Sequence, residues 1–402
     1  QALGGILVVD FSRVFIGPLV AKYLGDFGAT VVKIESRTSP DLARVTAPYN
    51  GSKPHIDRAG PFVVANSSKL SLGLNMSDKR GIEIARRLIA KADVIVENFS
   101  PGVMERWGLS YEDVKKLKPD IIMFRHSIMG QTGPLCHHPG FGWNVNGLAG
   151  FNHSTGWQDR EATGPSVPYP DFVAPWFGVV SILAALDYRR RTGRGQCIDQ
   201  SQLEAGVTML ASAILDFAVN GRDRGRRGNC SAMAVPHGAY PCKGQDRWCA
   251  IAVRDEAWPA FCQAIGNPPW TGDSRFFTFA GRKANEDEID KLVADWTVNS
   301  PAEDIMARLQ AAGVPAGVVQ NNQDLIERDP QIKHRQHFIP LKHTEMGVVL
   351  HQDWPTRLSL TPSQIKPAPC LGEHTELVCR DIIGMSDEEF VEMVSTGVLE
   401  LR

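Results

Sequence analysis

The first 130 residues alternate between short apolar runs and segments with helical periodicity. Strands are predicted at Ile6 to Asp10 and Thr30 to Ile34, with a helix from Leu19 to Leu24 between them. Three further strands continue the pattern, at Lys69 to Met76, Val94 to Glu97 and Ile121 to Arg125. Strands that alternate with helices in this way predict an α/β fold with a parallel, Rossmann-like sheet.

A long apolar helix is predicted from Phe172 to Tyr188, where three arginines and Gly193 end it. A proline-rich segment, 165–170, precedes it and restricts the backbone. Asp171 therefore lies where the helix begins. One interpretation makes Asp171 the N-cap of the helix, and another makes it a catalytic carboxylate. The residues alone leave both open.

A second long helix is predicted from Ile198 to about Val219, and the basic segment Gly221 to Gly228 follows it as a linker. The pattern divides the chain into a large domain at 1–225, completed by 326–402, and an inserted smaller α+β domain at 226–325. Helices and short strands alternate in the smaller domain as well.

Composition and charge exclude several classes of protein. The chain has 402 residues, 43% of them hydrophobic and 22% charged, with a formal net charge of −2. The low net charge argues against nucleic-acid binding. No apolar run approaches the roughly 20 residues of a membrane span, so no membrane association is expected. The eight cysteines do not have the paired spacing of metal ligands, so no metal site is expected. Scattered cysteines are most simply free thiols in a reducing compartment, which predicts a cytoplasmic location.

The loops after the predicted strands are the places where such sheets bind ligands. The first of them, Ser12 to Gly17, lacks the G-x-G-x-x-G pattern, which argues against an NAD-dependent dehydrogenase. His126 follows a later strand and is a candidate for acid/base chemistry or substrate binding, although a lone histidine is more often structural.

Several segments together resemble the class III CoA-transferases, which include formyl-CoA transferase and are related to alpha-methylacyl-CoA racemase. The segments are VVDFSRVFIGP, LGDFGATVVKIE, KADVIVENFSPGVMERWGL, AAGVPAGVVQ and APCLGEHTELV, with RRRTGRGQ and IDQS after the central helix. They occur in the family's order over nearly the whole chain.

The resemblance implies a reaction and a set of site residues. Asp171 matches the family's nucleophile, which forms an aspartyl mixed anhydride and then an aspartyl-CoA thioester. The reaction requires a CoA thioester as substrate and no permanently bound cofactor or metal. Phe15 replaces a polar residue of formyl-CoA transferase. The positions that match the family's CoA contacts are Val14, Phe15, Arg37, Leu74, Asn75, Asn98, Phe99 and Arg106.

Two relatives of this chemistry are alternatives. A racemase needs two acid/base groups flanking the α-carbon, but the matching positions hold Phe141 and Gly142, which carry no proton. A non-catalytic subunit of a heteromeric transferase would lack the nucleophile, whereas Asp171 is present.

The partners implied are an acyl-CoA, for instance succinyl-CoA, and a carboxylic acid. Phe141 and Trp143 predict an aromatic acid such as benzylsuccinate, although ordinary core packing explains aromatic residues equally well. The resemblance also implies an interlaced dimer, either a homodimer or a heteromer with a related subunit.

Overall fold

A computed structural model describes all 402 residues. It divides into two compact units, the first comprising 1–153, 163–223 and 335–402, and the second 154–162 and 224–334. The strands are β1 (Leu7–Asp10), β2 (Thr30–Glu35), β3 (Leu70–Leu74), β4 (Val94–Glu97), β5 (Ile122–Ser127), β6 (Cys197–Ser201), β7 (His237–Pro241), β8 (Trp248–Ala252), β9 (Ala316–Val318), β10 (Phe338–His343), β11 (Gly347–Gln352) and β12 (Leu399–Glu400).

The α-helices of the first unit up to the linker are α1 (Ile16–Asp26), α2 (Gly60–Asn66), α3 (Lys79–Ile89), α4 (Val103–Arg106), α5 (Tyr111–Leu117), α6 (Gly142–Leu148), α7 (Phe151–Ser154), α8 (Tyr169–Thr192), α9 (Gln202–Met209) and α10 (Ala211–Asn220). The helices that follow are α11 (Trp258–Ala264), α12 (Phe279–Ala284), α13 (Glu286–Thr297), α14 (Ala302–Ala311), α15 (Asn322–Glu327), α16 (Pro330–His334), α17 (Thr375–Leu377) and α18 (Asp387–Ser395).

A seven-stranded sheet organises the first unit, in the order β12-β3-β2-β1-β4-β5-β6. All neighbouring pairs are parallel except β12 with β3, which is antiparallel. Without its edge strand β12 the order is 3-2-1-4-5-6, the order of a Rossmann fold, and the direction of winding reverses between β1 and β4. The prediction of a parallel Rossmann-like sheet is confirmed.

Alternate residues of each central strand point into two separate hydrophobic cores. Val9 and Ile95 belong to one core, with α3 and the C-terminal helices, whereas Val8 and Val94 belong to the other, with α1 and α8. A strand that is buried on both faces is mostly apolar along its length, which explains the apolar runs in the sequence.

The central helix differs from the prediction in length. It runs from Tyr169 to Thr192 and ends at Gly193, whose φ of 71° is left-handed. By length and composition alone α8 could cross a membrane, contrary to the expectation that no apolar run approaches this length. Here it packs along α1, and Ile182 and Ala185 are buried. Helices α9 and α10 taken together are also long and apolar enough to cross a membrane, but they are bent by 69° at their junction.

The predicted helix from Ile198 to Val219 is wrong at its start. Residues 197–201 form β6, which pairs in parallel with β5 at the edge of the sheet. Ser201 then caps α9, because its hydroxyl accepts a hydrogen bond from the backbone N–H of Glu204. Pairing with a strand far away in sequence overrides local helical propensity here.

The second unit is built on a three-stranded antiparallel sheet, β7-β8-β9. Its core contains Phe261 and Phe276, which are buried together with Ile289, Val293 and Leu309 from the helices. Arg282 is also buried, with its guanidinium over the ring of Trp258, 4.6 Å from the centroid.

Candidate active site

A cavity of about 350 Å³ opens at the carboxyl ends of β1, β4 and β5. This position is the point where the winding of the sheet reverses, and open α/β sheets bind their ligands there. The lining comes from residues 14–16, 98–101, 126–128, 136 and 138–142, together with Asp171 and Gln202. No lysine or arginine lines the cavity.

Asp171 is the acidic residue in the first turn of α8, and its carboxylate faces this cavity. The N-cap position is held by Pro168, and no side chain caps the helix, so the N-cap interpretation of Asp171 is wrong. The carboxylate instead accepts a hydrogen bond from the side-chain amide of Gln202. Burial raises the pKa of Asp171 to about 6, although the hydrogen bond from Gln202 acts in the opposite direction.

Gly142, the first residue of α6, leaves the space that the Asp171 carboxylate occupies. A Cβ at position 142 would lie 2.6 Å from Oδ2 of Asp171 and closer still to Oδ1. Real Cβ atoms do not approach other atoms so closely, so any larger residue would displace the carboxylate. The backbone of α6 therefore approaches the carboxylate of Asp171 closely at this position.

The turn after β1 is held in a strained conformation by buried charges. Val14 has φ of 67°, which is unfavourable for a β-branched residue. Its N–H donates to Asp41 Oδ1 at 2.8 Å, and Lys33 lies 3.0 Å from the same carboxylate. Lys33 also donates to the carbonyl of Ser12 at 2.7 Å. Both charged side chains are almost fully buried, so they fix the turn that lines the cavity.

Asn98 fixes the same turn from the neighbouring strand end. Its side-chain oxygen accepts from the N–H of Arg13 at 2.7 Å, and its side-chain nitrogen donates to the carbonyl of Arg13 at 2.7 Å. Both polar groups of the amide are thus committed to the backbone of the turn.

A second cavity of about 80 Å³ lies beside the first. Leu74 and Asn75, two of the positions expected to contact CoA, line it at the end of β3. Phe99 lines both cavities. The guanidinium of Arg13 lies 5.6 Å from the centre of the Phe99 ring and donates to the hydroxyl of Ser39 at 2.9 Å.

Arg13 is the only lysine or arginine that lines either cavity. It is not among the residues that the sequence predicted to contact CoA. Its position directly before Val14, in the first turn of a Rossmann-like unit, is the sequence feature that could have indicated a ligand contact. Arg37 and Arg106, which were predicted to contact CoA, are exposed and line neither cavity. Arg37 donates to the carbonyl of Leu401 at 3.1 Å.

The structure separates the three candidate substrate contacts. Phe141 and His126 line the larger cavity, whereas Trp143 does not, and 56% of its surface is exposed on α6. Phe15, also in the lining, packs edge-on against Phe172, with ring centroids 5.1 Å apart. The apolar wall near Asp171 therefore consists of phenylalanines and aliphatic residues.

His126 and Ser127 form a polar region in the lining at the end of β5. Both are buried, and His126 Nδ1 and Ser127 Oγ have no hydrogen-bond partner. Burial lowers the pKa of His126 to about 3, so its imidazole is neutral at physiological pH. The ring of Phe124 lies nearly parallel to that of His126, at 6.4 Å.

Comparison with known proteins identifies relatives over the whole chain. The model of CoA-transferase family III matches residues 3–375. The chain is 30% identical over 400 residues to succinyl-CoA--D-citramalate CoA-transferase of Chloroflexus aurantiacus, covering 99% of this chain and 98% of the relative. It is also 30% identical over 404 residues to the alpha subunit of succinyl-CoA--L-malate CoA-transferase of Chloroflexus aurantiacus, covering 99% and 92%.

A solved structure shows the same fold. The crystal structure of a CAIB/BAIF family protein from Brucella suis superposes with a TM-score of 0.88 and 30% identity, covering 95% of this chain and 99% of that chain.

Proposed function

The chain belongs to CoA-transferase family III, and from that premise we propose that it moves CoA from succinyl-CoA to a carboxylic acid through covalent intermediates on Asp171. The observation that carries this proposal is the Asp171 carboxylate in a cation-free cavity at the point where the sheet winding reverses. An acid without a cationic partner keeps its lone pairs available for attack on a carbonyl.

The exchange proceeds in balanced steps. Asp171 attacks the thioester carbonyl, which forms a mixed anhydride and releases CoA thiolate. The thiolate then attacks the carboxyl carbon of Asp171, which gives an aspartyl-CoA thioester and releases the first acid. The incoming carboxylate attacks this thioester, which forms a second mixed anhydride and releases CoA thiolate again. The thiolate finally attacks the acyl carbon, which yields the new acyl-CoA and regenerates Asp171.

The two cavities support one path for CoA. Its thioester end reaches Asp171 in the larger cavity, and Leu74, Asn75 and Arg13 contact the nucleotide end beside it. The guanidinium of Arg13 suits phosphate oxygens, and it makes no ion pair with an acid of the protein. Arg37 and Arg106 remain proposed contacts at the outer end of the groove.

The names of two relatives suggest the acids exchanged. Both are named for succinyl-CoA as donor, and malate and citramalate each carry two carboxyl groups. The apolar lining, with Phe15, Phe99 and Phe141, provides room for an aromatic substituent. We therefore propose a dicarboxylic acceptor with an aromatic side group, such as benzylsuccinate.

Racemase chemistry has no support in the site. An acid/base residue at 142 would require a Cβ where the carboxylate of Asp171 lies, and Phe141 carries no proton to exchange. Transfer between two acids requires only the single carboxylate that is present.

A second chain is also part of the proposal. Helices α8 and α10 expose large apolar side chains, including Val180, Leu215, Phe217 and Val219. An apolar surface of this kind favours association. We propose that it is covered in a dimer, either of two copies or with a related subunit, as in the relative that is named as an alpha subunit.

The proposal is tested by offering the full chain a panel of acyl-CoA donors and carboxylic acids and following new acyl-CoA products by mass spectrometry. Transfer from succinyl-CoA to an aromatic succinate is the expected result. Racemisation of a 2-methylacyl-CoA without transfer, or no turnover of any acyl-CoA, would refute the proposed reaction.

A further inference from the structure

We propose that His126 and Ser127 bind the distal carboxylate of the succinyl group, the one that is not joined to CoA. The inference rests on the proposed function and adds the residues that select a dicarboxylic acyl group. The succinyl donor and a succinate-type acceptor share this second carboxylate, so one pair of residues would serve both halves of the reaction.

The first argument is position. Ser127 is paired in register with Ser201 on the adjacent strand β6, and Gln202 follows Ser201 directly. Gln202 in turn donates to Asp171. Ser127 and the nucleophile Asp171 therefore line the same cavity, and the pairing of β5 with β6 links the strand end that carries Ser127 to Gln202. His126 lines the cavity beside it.

The second argument is unsatisfied hydrogen-bonding capacity. His126 is 3% exposed and Ser127 8% exposed, and His126 Nδ1 and Ser127 Oγ have no partner within the protein. Leaving a buried polar group unpaired costs roughly 1–3 kcal/mol, so a ligand in the cavity that pairs with these groups at the end of β5 would gain that free energy. An imidazole N–H and a hydroxyl together supply one donor for each oxygen of a carboxylate.

The third argument is charge. A lysine or arginine at this place would be a permanent counter-ion for Asp171 and would reduce its reactivity as a nucleophile. Neutral donors bind an incoming carboxylate without pairing to Asp171 in the empty enzyme. The remaining lining is mostly apolar and offers no other uncharged pair of this kind so deeply buried.

The test compares succinyl-CoA with butyryl-CoA, which has a methyl group in place of the distal carboxylate. The ratio of kcat/KM for succinyl-CoA to kcat/KM for butyryl-CoA is measured for the unmodified full-length chain, His126→Leu, His126→Gln and Ser127→Ala. His126→Leu should lower this ratio at least about tenfold, because hydrogen bonds to a charged group are lost. His126→Gln, which retains a donor, should restore part of it, and Ser127→Ala should lower it in the same direction.

His137→Leu is the matched control, because His137 is an exposed histidine just beyond β5 that lies outside the cavity lining. It should leave the ratio unchanged. Equal losses for both thioesters in His126→Leu and Ser127→Ala would overturn the inference and leave a structural role or a buried water as the explanation. Failure of the unmodified chain to transfer either acyl group would instead overturn the proposed function, and the inference with it.

Ser127→Ala keeps the inference testable if His126→Leu does not fold, since it removes only one hydroxyl. Melting temperatures of all variants establish that each is folded before kinetics are compared. An unchanged ratio in a folded Ser127→Ala protein would contradict a role for the pair.

Discussion

The carboxylate of Asp171 occupies the space that a side chain on Gly142 would fill. A Cβ at position 142 would lie 2.6 Å from Asp171 Oδ2, so the glycine and the acid fit only as a pair. Gly142 begins α6 and Asp171 lies in the first turn of α8, so this contact fixes where two helices place the reacting group.

Gly142→Ala should therefore displace the Asp171 carboxylate and lower kcat by about 100-fold, the loss typical of a 1 Å misplacement of a reacting group. Affinity for CoA should change little, because Gly142 lines the larger cavity, whereas the proposed nucleotide contacts Arg13, Leu74 and Asn75 line the smaller one. The control is Gly147→Ala on the same helix, where the added Cβ would meet its nearest atom at 3.8 Å. Equal activity in the two variants would show that Gly142 does not position Asp171.

The pH dependence of kcat/KM should report the ionisation of Asp171. Burial raises the pKa of Asp171 to about 6, and only the ionised form is a nucleophile, so activity should fall as the pH decreases through about 6. The amide of Gln202 stabilises the ionised form, so Gln202→Leu should move this acidic limb to higher pH. Relative to the unmodified protein, the variant should lose activity at pH values just above the pKa of Asp171 and recover it at higher pH.

The control for that measurement is Gln323→Leu, which makes the same change on α15 in the second unit. It should leave the profile in place. An acidic limb that is identical in unmodified protein and Gln202→Leu would mean that another group controls the pH dependence.

Arg13→Gln should raise KM for succinyl-CoA about tenfold or more with a smaller effect on kcat. Phosphate contacts hold substrate and transition state alike, so their loss weakens binding rather than chemistry. Arg37→Gln and Arg106→Gln should act in the same direction with smaller effects, because neither residue lines a cavity. Arg190→Gln, a change on the exposed end of α8, is the control. A loss in kcat alone for Arg13→Gln would place Arg13 at the chemistry instead of the nucleotide.

The exposed apolar face of α10 should be buried in the assembled enzyme. The double substitution Leu215→Glu with Val219→Glu should shift the mass measured by analytical ultracentrifugation from the dimer toward the single chain. Leu360→Glu changes an isolated residue that is 92% exposed and should have no such effect. Sedimentation of the unmodified protein as a single chain at working concentration would contradict the proposed dimer.

Local patterns in the sequence predicted the sheet well and the site only in part. Strands β1 and β2 and helix α1 follow from apolar periodicity that any short window contains. Strand β6 was mistaken for a helix, because its pairing with β5 depends on residues far away in the chain.

Local sequence patterns could not predict the environment of Asp171, because that environment also depends on residues far away in the chain. Gln202 lies 31 positions away, and the chain folds it onto Asp171 through β6 and α9. The sequence left a helix cap and a catalytic carboxylate open for Asp171, and it gave no sign of the burial that raises the pKa of this group. The burial of His126 could not be read from its neighbours in sequence either.

Asp171→Asn removes the nucleophile with little change in shape. Because Asp171 is not a helix cap, no capping interaction is lost. An acid whose pKa is raised by folding destabilises the folded protein once it ionises, so the substitution should stabilise the protein at neutral pH. The gain is on the order of 1–3 kcal/mol. It should disappear below about pH 4, where the carboxyl group is protonated in both the folded and the unfolded chain. A melting temperature no lower than that of the unmodified protein at pH 7.5 therefore serves as the control for folding.

The most direct test of the account is to trap the acyl-enzyme. The unmodified chain and Asp171→Asn are incubated with succinyl-CoA and quenched with hydroxylamine, and the peptides are mapped by mass spectrometry. The account predicts a hydroxamate at Asp171 in the unmodified protein, none in the folded Asn variant, and a loss of transfer of about 10³-fold or more in that variant. Transfer at a near-normal rate by a folded Asp171→Asn protein, or a hydroxamate on a different residue, would contradict it.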